Sequence, residues 1–226
     1  MNNKSNRIVV TGLGTVTPYG VGVKSFWDNI KNGKSCITDK SDLYDVKNNP
    51  IKICGQLLDF DPYLYLDPKE AKRLDRCIQF ALVASDEAVK DAGITEENTD
   101  TYRFGVIVGS GSGGIRATQS GVYDIMTKGP ARCSPFTIPM MIANMPAGLI
   151  GERHKAKGKN FATVSACATG GHSIGEAFRT IVYGDADVMI AGGCEASLSN
   201  LGLGGFTALR ALRVRPLWWP VPRRTR

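Results

Sequence analysis

The chain has 226 residues, 28 Lys+Arg against 21 Asp+Glu, 42% hydrophobic residues and 26 glycines, a composition that excludes a disordered chain and suits one large or two small folded units. Five arginines and no acid fall in residues 213–226, so the rest is nearly neutral at 23 bases to 21 acids. The basic balance is therefore a property of the terminus, and no nucleic-acid partner is expected.

Residues 7–11 (RIVVT) form a β-branched run closed by Gly12 and Gly14, which predicts a strand, and a helix is expected over 24–32, stopped by Gly33. Asp67 and Pro68 signal a helix start. Apolar residues from Ala71 to Val89 then recur at three- and four-residue intervals up to Gly93, predicting one long helix. Strands are expected at 104–108, 161–165 and 187–191, each apolar on both faces, with helices at 139–152, 168–183 and 200–212. The alternation predicts an α/β sandwich with a largely parallel sheet. No repeat or linker interrupts residues 1–212, which are taken as one unit. Residues 213–226 change abruptly to Arg, Pro and Trp and read as an out-of-frame or artificial tail, the alternative being a partner-binding terminus.

Neither a secretory signal nor an apolar run long enough to span a bilayer is visible, so no membrane association and a cytoplasmic location are expected. The six cysteines contain no CxxC pair and only His154 and His172 are present, so free thiols and no metal are expected. Gly109–Gly114 (GSGSGG) satisfies GxGxxG, but the acidic residue a dinucleotide site needs about 20 positions on is missing, so it reads as a tight strand exit. No cofactor is expected.

The segment VSACATGGHSIG at 164–175 carries the chemistry. A strand ending near Cys167, followed by small residues and a helix, places the sulfur at a helix N-terminus. Unpaired amides there favour a thiolate and offer hydrogen bonds to the oxyanion formed on attack at a thioester carbonyl. The competing reading is a compact buried hydrophobe, the one adopted for Cys54, Cys77 and Cys194. His172, five residues on, would point roughly 140° away around a helix. His154, within a charged run, reads as a solvated loop residue.

Residues 164–175 resemble the nucleophile segment of the β-ketoacyl-acyl-carrier-protein synthases, particularly the type II elongating enzymes. VVTGLGTVTPYG at 9–20, LDRCIQFALVASDEAVKDAG at 74–93, VGSGSGG at 108–114, SPFTIPMMIANMPAG at 134–148, YGDADVMIAGGCEA at 183–196 and GGFTALRAL at 204–212 agree in order. The resemblance implies a thiolase-like fold, of which this chain matches the N-terminal half, and a homodimer. It makes Cys167 the acyl-carrying nucleophile, with its own N–H as an oxyanion donor, and places Phe206 by the acyl pocket. Lys69, Lys72, Arg73 and Arg210 fall where the family faces its acidic acyl carrier protein, and a positive patch would steer such a partner. Ser112 stands where elongating members carry an apolar residue gating the acyl channel. The family's condensation with malonyl-carrier uses two histidines from the second half, for which no matching motif exists, so the chain alone is expected not to condense. The alternatives are an inactive product, a pocket-shaping subunit, or a thiolase acting on acyl-CoA.

Overall fold

The computed structural model describes residues 7–38, 51 and 53–212. The expected tail at 213–226 lies outside them. Helix α1 (Val23–Lys31) follows an antiparallel pair, β1 (Val16–Thr17) with β2 (Gly20–Val21), and β3 (Ile37–Thr38) pairs antiparallel with β4 (Cys54–Gly55). Helices α2 (Pro68–Ala71) and α3 (Arg76–Asp91) lead to β5 (Phe104–Gly109), α4 (Ile115–Lys128), α5 (Thr137–Met141) and α6 (Met145–Arg153). The chain continues through β6 (Asn160–Phe161), α7 (Thr169–Val182), β7 (Val188–Gly193) and α8 (Asn200–Ala208).

Three strands form a parallel sheet in the order β6-β5-β7, with Val106 opposite both Asn160 and Ile190. β5 is buried along its whole length, which requires cover on both faces. Phe104, Val106 and Val108 join Ile78 and Leu82 of α3 and Ala147 and Ile150 of α6 in the main core. Alternation turns Gly105, Ile107 and Gly109 to the opposite face, where α7 packs. The expected α/β arrangement is therefore present, with every strand of this sheet running the same way.

Several boundaries differ from expectation. Residues 7–11 form no strand. Gly12 and Gly14 lie so close to the Ala88 and Ala84 carbonyls of α3 that a Cβ at either would collide with them. The neighbouring amides turn to side chains, Leu13 N–H donating to Asp91 at 3.0 Å and Thr15 N–H to Glu87 at 2.9 Å. The long helix expected after Asp67 is two helices. Asp67 caps α2 by accepting from Lys69 and Glu70 N–H, and Asp75 starts α3 anew by accepting from Cys77 N–H. The helix expected at 139–152 also divides, with Ile142 extended and Pro146 opening α6. The strand expected at 161–165 is only Asn160–Phe161, because the chain already turns toward the next helix.

A candidate nucleophile at the carboxyl ends of three parallel strands

Because β5, β6 and β7 run parallel, the loops leaving their carboxyl ends gather along one edge, where α/β sheets place their ligand sites. The loop after β6 holds Cys167. Ser165 (φ −142°, ψ 43°) and Ala166 (φ 52°) turn the chain sharply into a single 3-10 turn, Ala166–Ala168, which runs directly into α7. A positive φ at alanine is strained, and the surroundings hold it in place. Thr169 Oγ1 accepts the Ser165 N–H at 2.9 Å, while Thr163 Oγ1 reaches the Thr169 carbonyl at 3.1 Å and Ser173 Oγ at 2.8 Å. The loop after β5 braces it from below: a Cβ on Gly111 would lie 3.0 Å from the Ala166 carbonyl oxygen, and one on Gly109 would meet the Thr163 carbonyl.

Cys167 is a free, exposed thiol at this helix start, where the first backbone N–H groups have no intrahelical acceptors. The other cysteines contrast with it. Cys54 and Cys77 are buried, and Cys194 is half-buried. The Cys77 thiol is pushed far above its usual range, first by its contact with Cys194 and then by burial. His172 does not hydrogen-bond Cys167; its Nδ1 meets Ser165 Oγ at 2.6 Å, so it supports the turn that carries the sulfur.

The loop after β7 contributes a residue that sequence reasoning missed. Glu195 accepts from Ser112 Oγ at 2.5 Å, Ser112 N–H at 3.2 Å, Ser197 Oγ at 3.0 Å and, more weakly, Ser110 Oγ at 3.4 Å. The only sequence signal was an acid standing among small residues directly after a strand. Ser112 therefore sits one residue from the glycine that braces the turn carrying Cys167, and it is tied to Glu195. Phe206 is half-exposed on α8, whose start packs on Ile115 of α4 through Gly202. No hydrogen bond or ring contact among the described residues brings Phe206 to Cys167.

Lys69, Lys72, Arg73 and Arg210 are all exposed. Arg73 lies over the Phe136 ring at 4.9 Å, next to α5, while Arg210 (φ 54°) follows α8. Both α5 and α8 pack on α4. His154 corrects the expectation of a solvated loop residue. Its side chain is only 11% exposed, with Nε2 3.1 Å from Ser85 Oγ and 3.4 Å from Asp86. Burial, aided by Arg153, holds it below its ordinary pKa against the pull of Asp86.

The model of the β-ketoacyl synthase N-terminal domain matches residues 5–215. The chain is 42% identical over 214 residues to 3-oxoacyl-[acyl-carrier-protein] synthase 2 of Synechocystis sp., covering 95% of this chain and 51% of that protein. It is 43% identical over 210 residues to the synthase of the same name from Staphylococcus aureus strain N315, covering 93% and 50%. Thus the chain spans about half the length of the curated relatives it matches. Among solved structures it resembles a ketosynthase in complex with its type II PKS acyl-carrier protein, with TM-score 0.78 and 32% identity over 95% of this chain and 52% of that one. It also resembles a β-ketoacyl synthase from Burkholderia phymatum STM815, with TM-score 0.79 and 26% identity over 92% and 51%. Among the described residues no helix is long and apolar enough to cross a membrane.

Proposed function

The chain belongs to the β-ketoacyl synthase family through its N-terminal domain, and on that premise we propose that Cys167 accepts an acyl group from an acyl-carrier-protein thioester. The observation that carries this reading is the placement of an exposed sulfur on a braced turn at the start of α7, at the carboxyl edge of the parallel sheet. The thiolate attacks the thioester carbonyl carbon, the oxygen becomes an oxyanion, and the Cys167 N–H donates to it. As the tetrahedral species collapses, the carbon–sulfur bond to the carrier breaks. The carrier leaves as a thiol carrying the proton that Cys167 gave up, and the acyl group stays on the protein.

In this reading Ser112 and Phe206 shape the acyl pocket, and Lys69, Lys72, Arg73 and Arg210 face the acidic carrier. Three of those four have no ion-pair or ring partner among the described residues, which leaves their charge available for long-range steering. The whole protein would then carry out decarboxylative condensation with malonyl-carrier in fatty acid biosynthesis, as a cytoplasmic homodimer. Residues 1–226 alone would stop at the acyl-enzyme, because an enolate without its hydrogen-bond donors lacks about 3–4 kcal/mol of stabilisation per donor.

The test is intact-mass measurement after incubation with an acyl-carrier thioester. One acyl adduct is expected on the chain and none on Cys167→Ser. An unmodified wild-type chain, or an adduct that survives in Cys167→Ser, would overturn the assignment.

A further inference from the structure

Two arginines begin neighbouring helices. Arg76 is the first residue of α3 and Arg116 the second of α4, so each cation stands at the positive end of a helix dipole, where a negative charge is favoured. A single carboxylate serves both starts. Asp75 Oδ1 accepts the Cys77 N–H at 3.0 Å, and Oδ2 accepts the Ala117 N–H at 2.9 Å. At 4% exposure, Asp75 is fully used in that work.

Arg76 is half-buried between the rings of Phe60 and Phe80, 5.1 and 5.2 Å from their centres, and its guanidinium donates to the Leu57 carbonyl at 3.2 Å. Burial first, and then the like charge of Arg116, disfavour its protonated form. Among the described residues neither arginine has an ion-pair partner. Both line a cavity of about 220 Å³ whose wall also includes Thr17, Gln56, Glu195 and Ser197. Among the described residues the one acid on that wall, Glu195, is held by the serines and the Ser112 N–H.

We propose that this cavity binds a compact, doubly charged oxyanion of the phosphate or dicarboxylate class between the guanidinium groups of Arg76 and Arg116. Guanidinium forks match such oxygens geometrically. The cavity has room for a few heavy atoms. An anion there would relieve the repulsion between Arg76 and Arg116. Anion binding here does not require the acyl transfer proposed at Cys167, although Glu195, tied to Ser112, lines both regions.

The experiment is calorimetric titration of the full chain with inorganic phosphate and, separately, with succinate, at constant ionic strength set by chloride. Saturable binding of phosphate or succinate is expected below about 10 mM, the tighter of the two identifying the source class. Arg116→Gln should weaken binding by about 10- to 100-fold, the scale of a lost hydrogen bond to a charged group. Lys128→Gln removes an equal charge at the far end of α4 and should leave binding unchanged. Arg116→Lys keeps the charge, loses the fork and should fall between, which keeps the test decisive if Arg116→Gln does not fold. No saturable binding of either anion, equal binding by Arg116→Gln or Arg116→Lys and wild type, or an equal loss in Lys128→Gln would each overturn the proposal.

Discussion

Helices α3 and α7 are built to opposite rules. Helix α3 buries Cys77, Ile78, Ala81, Leu82 and Val83, the usual amphipathic arrangement with its large apolar side chains inward. Helix α7 buries Thr169, Ser173, Ala177 and Thr180, all small, and leaves Ile174, Phe178 and Val182 more than half exposed. The difference follows from what each helix packs against. α3 meets β5 and α6 through side chains, whereas α7 meets strand ends rich in glycine, and a Cβ on Gly193 would lie 3.0 Å from the Gly170 Cα. Close backbone approach needs small residues inside. It also fixes the start of α7, and with it Cys167, more tightly than a layer of flexible side chains would.

The largest expected effect comes from the side-chain-packed region. Leu82→Ala removes a fully buried side chain and should cost about 2–5 kcal/mol in urea unfolding. A loss below about 1 kcal/mol would mean that the α3 interface is looser than its burial indicates.

Gly109→Val probes the backbone-packed region, because the new Cβ would meet the Thr163 carbonyl and stand 2.8 Å from Thr169 Cγ2. A stability loss of about 1–3 kcal/mol is expected, together with slower acylation of Cys167 because the nucleophile turn shifts. Gly171→Ala, whose Cβ meets nothing within 4 Å, is the matched control and should do neither. Equal effects of the two substitutions would break the contrast.

His154 reports on the α3–α6 contact through pH. Its folded pKa is depressed, so the unfolded chain binds the proton more readily and stability rises with pH. The contribution is complete above the ordinary value near 6.5 and is lost as pH falls through that value toward the folded one. Asp86, Arg153 and Ser85 are the groups that face it. Unfolding free energies at pH 5.5 and 7.5 should differ more in wild type than in His154→Asn. An equal pH dependence would show that the imidazole is not buried in solution.

The smallest stability effect is expected on the outer face of α7. Phe178→Asp should cost about 1 kcal/mol of folding free energy, since the ring is 53% exposed and its covered part lines a groove with Val9, Leu13 and Met189. Its consequence lies in association. The stripe of Ile174, Phe178 and Val182 is the kind of exposed apolar surface that draws chains together, so the wild-type chain should self-associate with concentration on gel filtration and the variant less so.

How far the residues disclosed the site depended on the range of the interactions involved. The placement of Cys167 at a helix start was legible because a small-residue turn and a helix start are local signals within about a dozen positions. The cap at Asp67 is equally local. Glu195 was not legible, because its partners Ser110 and Ser112 lie over 80 residues away and meet it only through the pairing of β5 with β7. His154 misled for the same reason: its charged neighbours in sequence suggest solvent, while Ser85 and Asp86 of α3 enclose it. The break at Asp75 was hidden by apolar periodicity that continues across it, although its carboxylate caps α3 and reaches α4 at once.

By themselves, the residues determined the alternation of strands and helices, the apolar centre at β5 and the placement of Cys167 at a helix start, since propensity, periodicity and turn chemistry act between near neighbours. Only the tertiary structure decided that three loops meet at one sheet edge, that Arg76 and Arg116 share a cavity, and that α7 turns its small face inward. Those outcomes depend on which strands lie side by side and how closely backbones approach. Such contacts join positions far apart along the chain, and local free energies do not specify them.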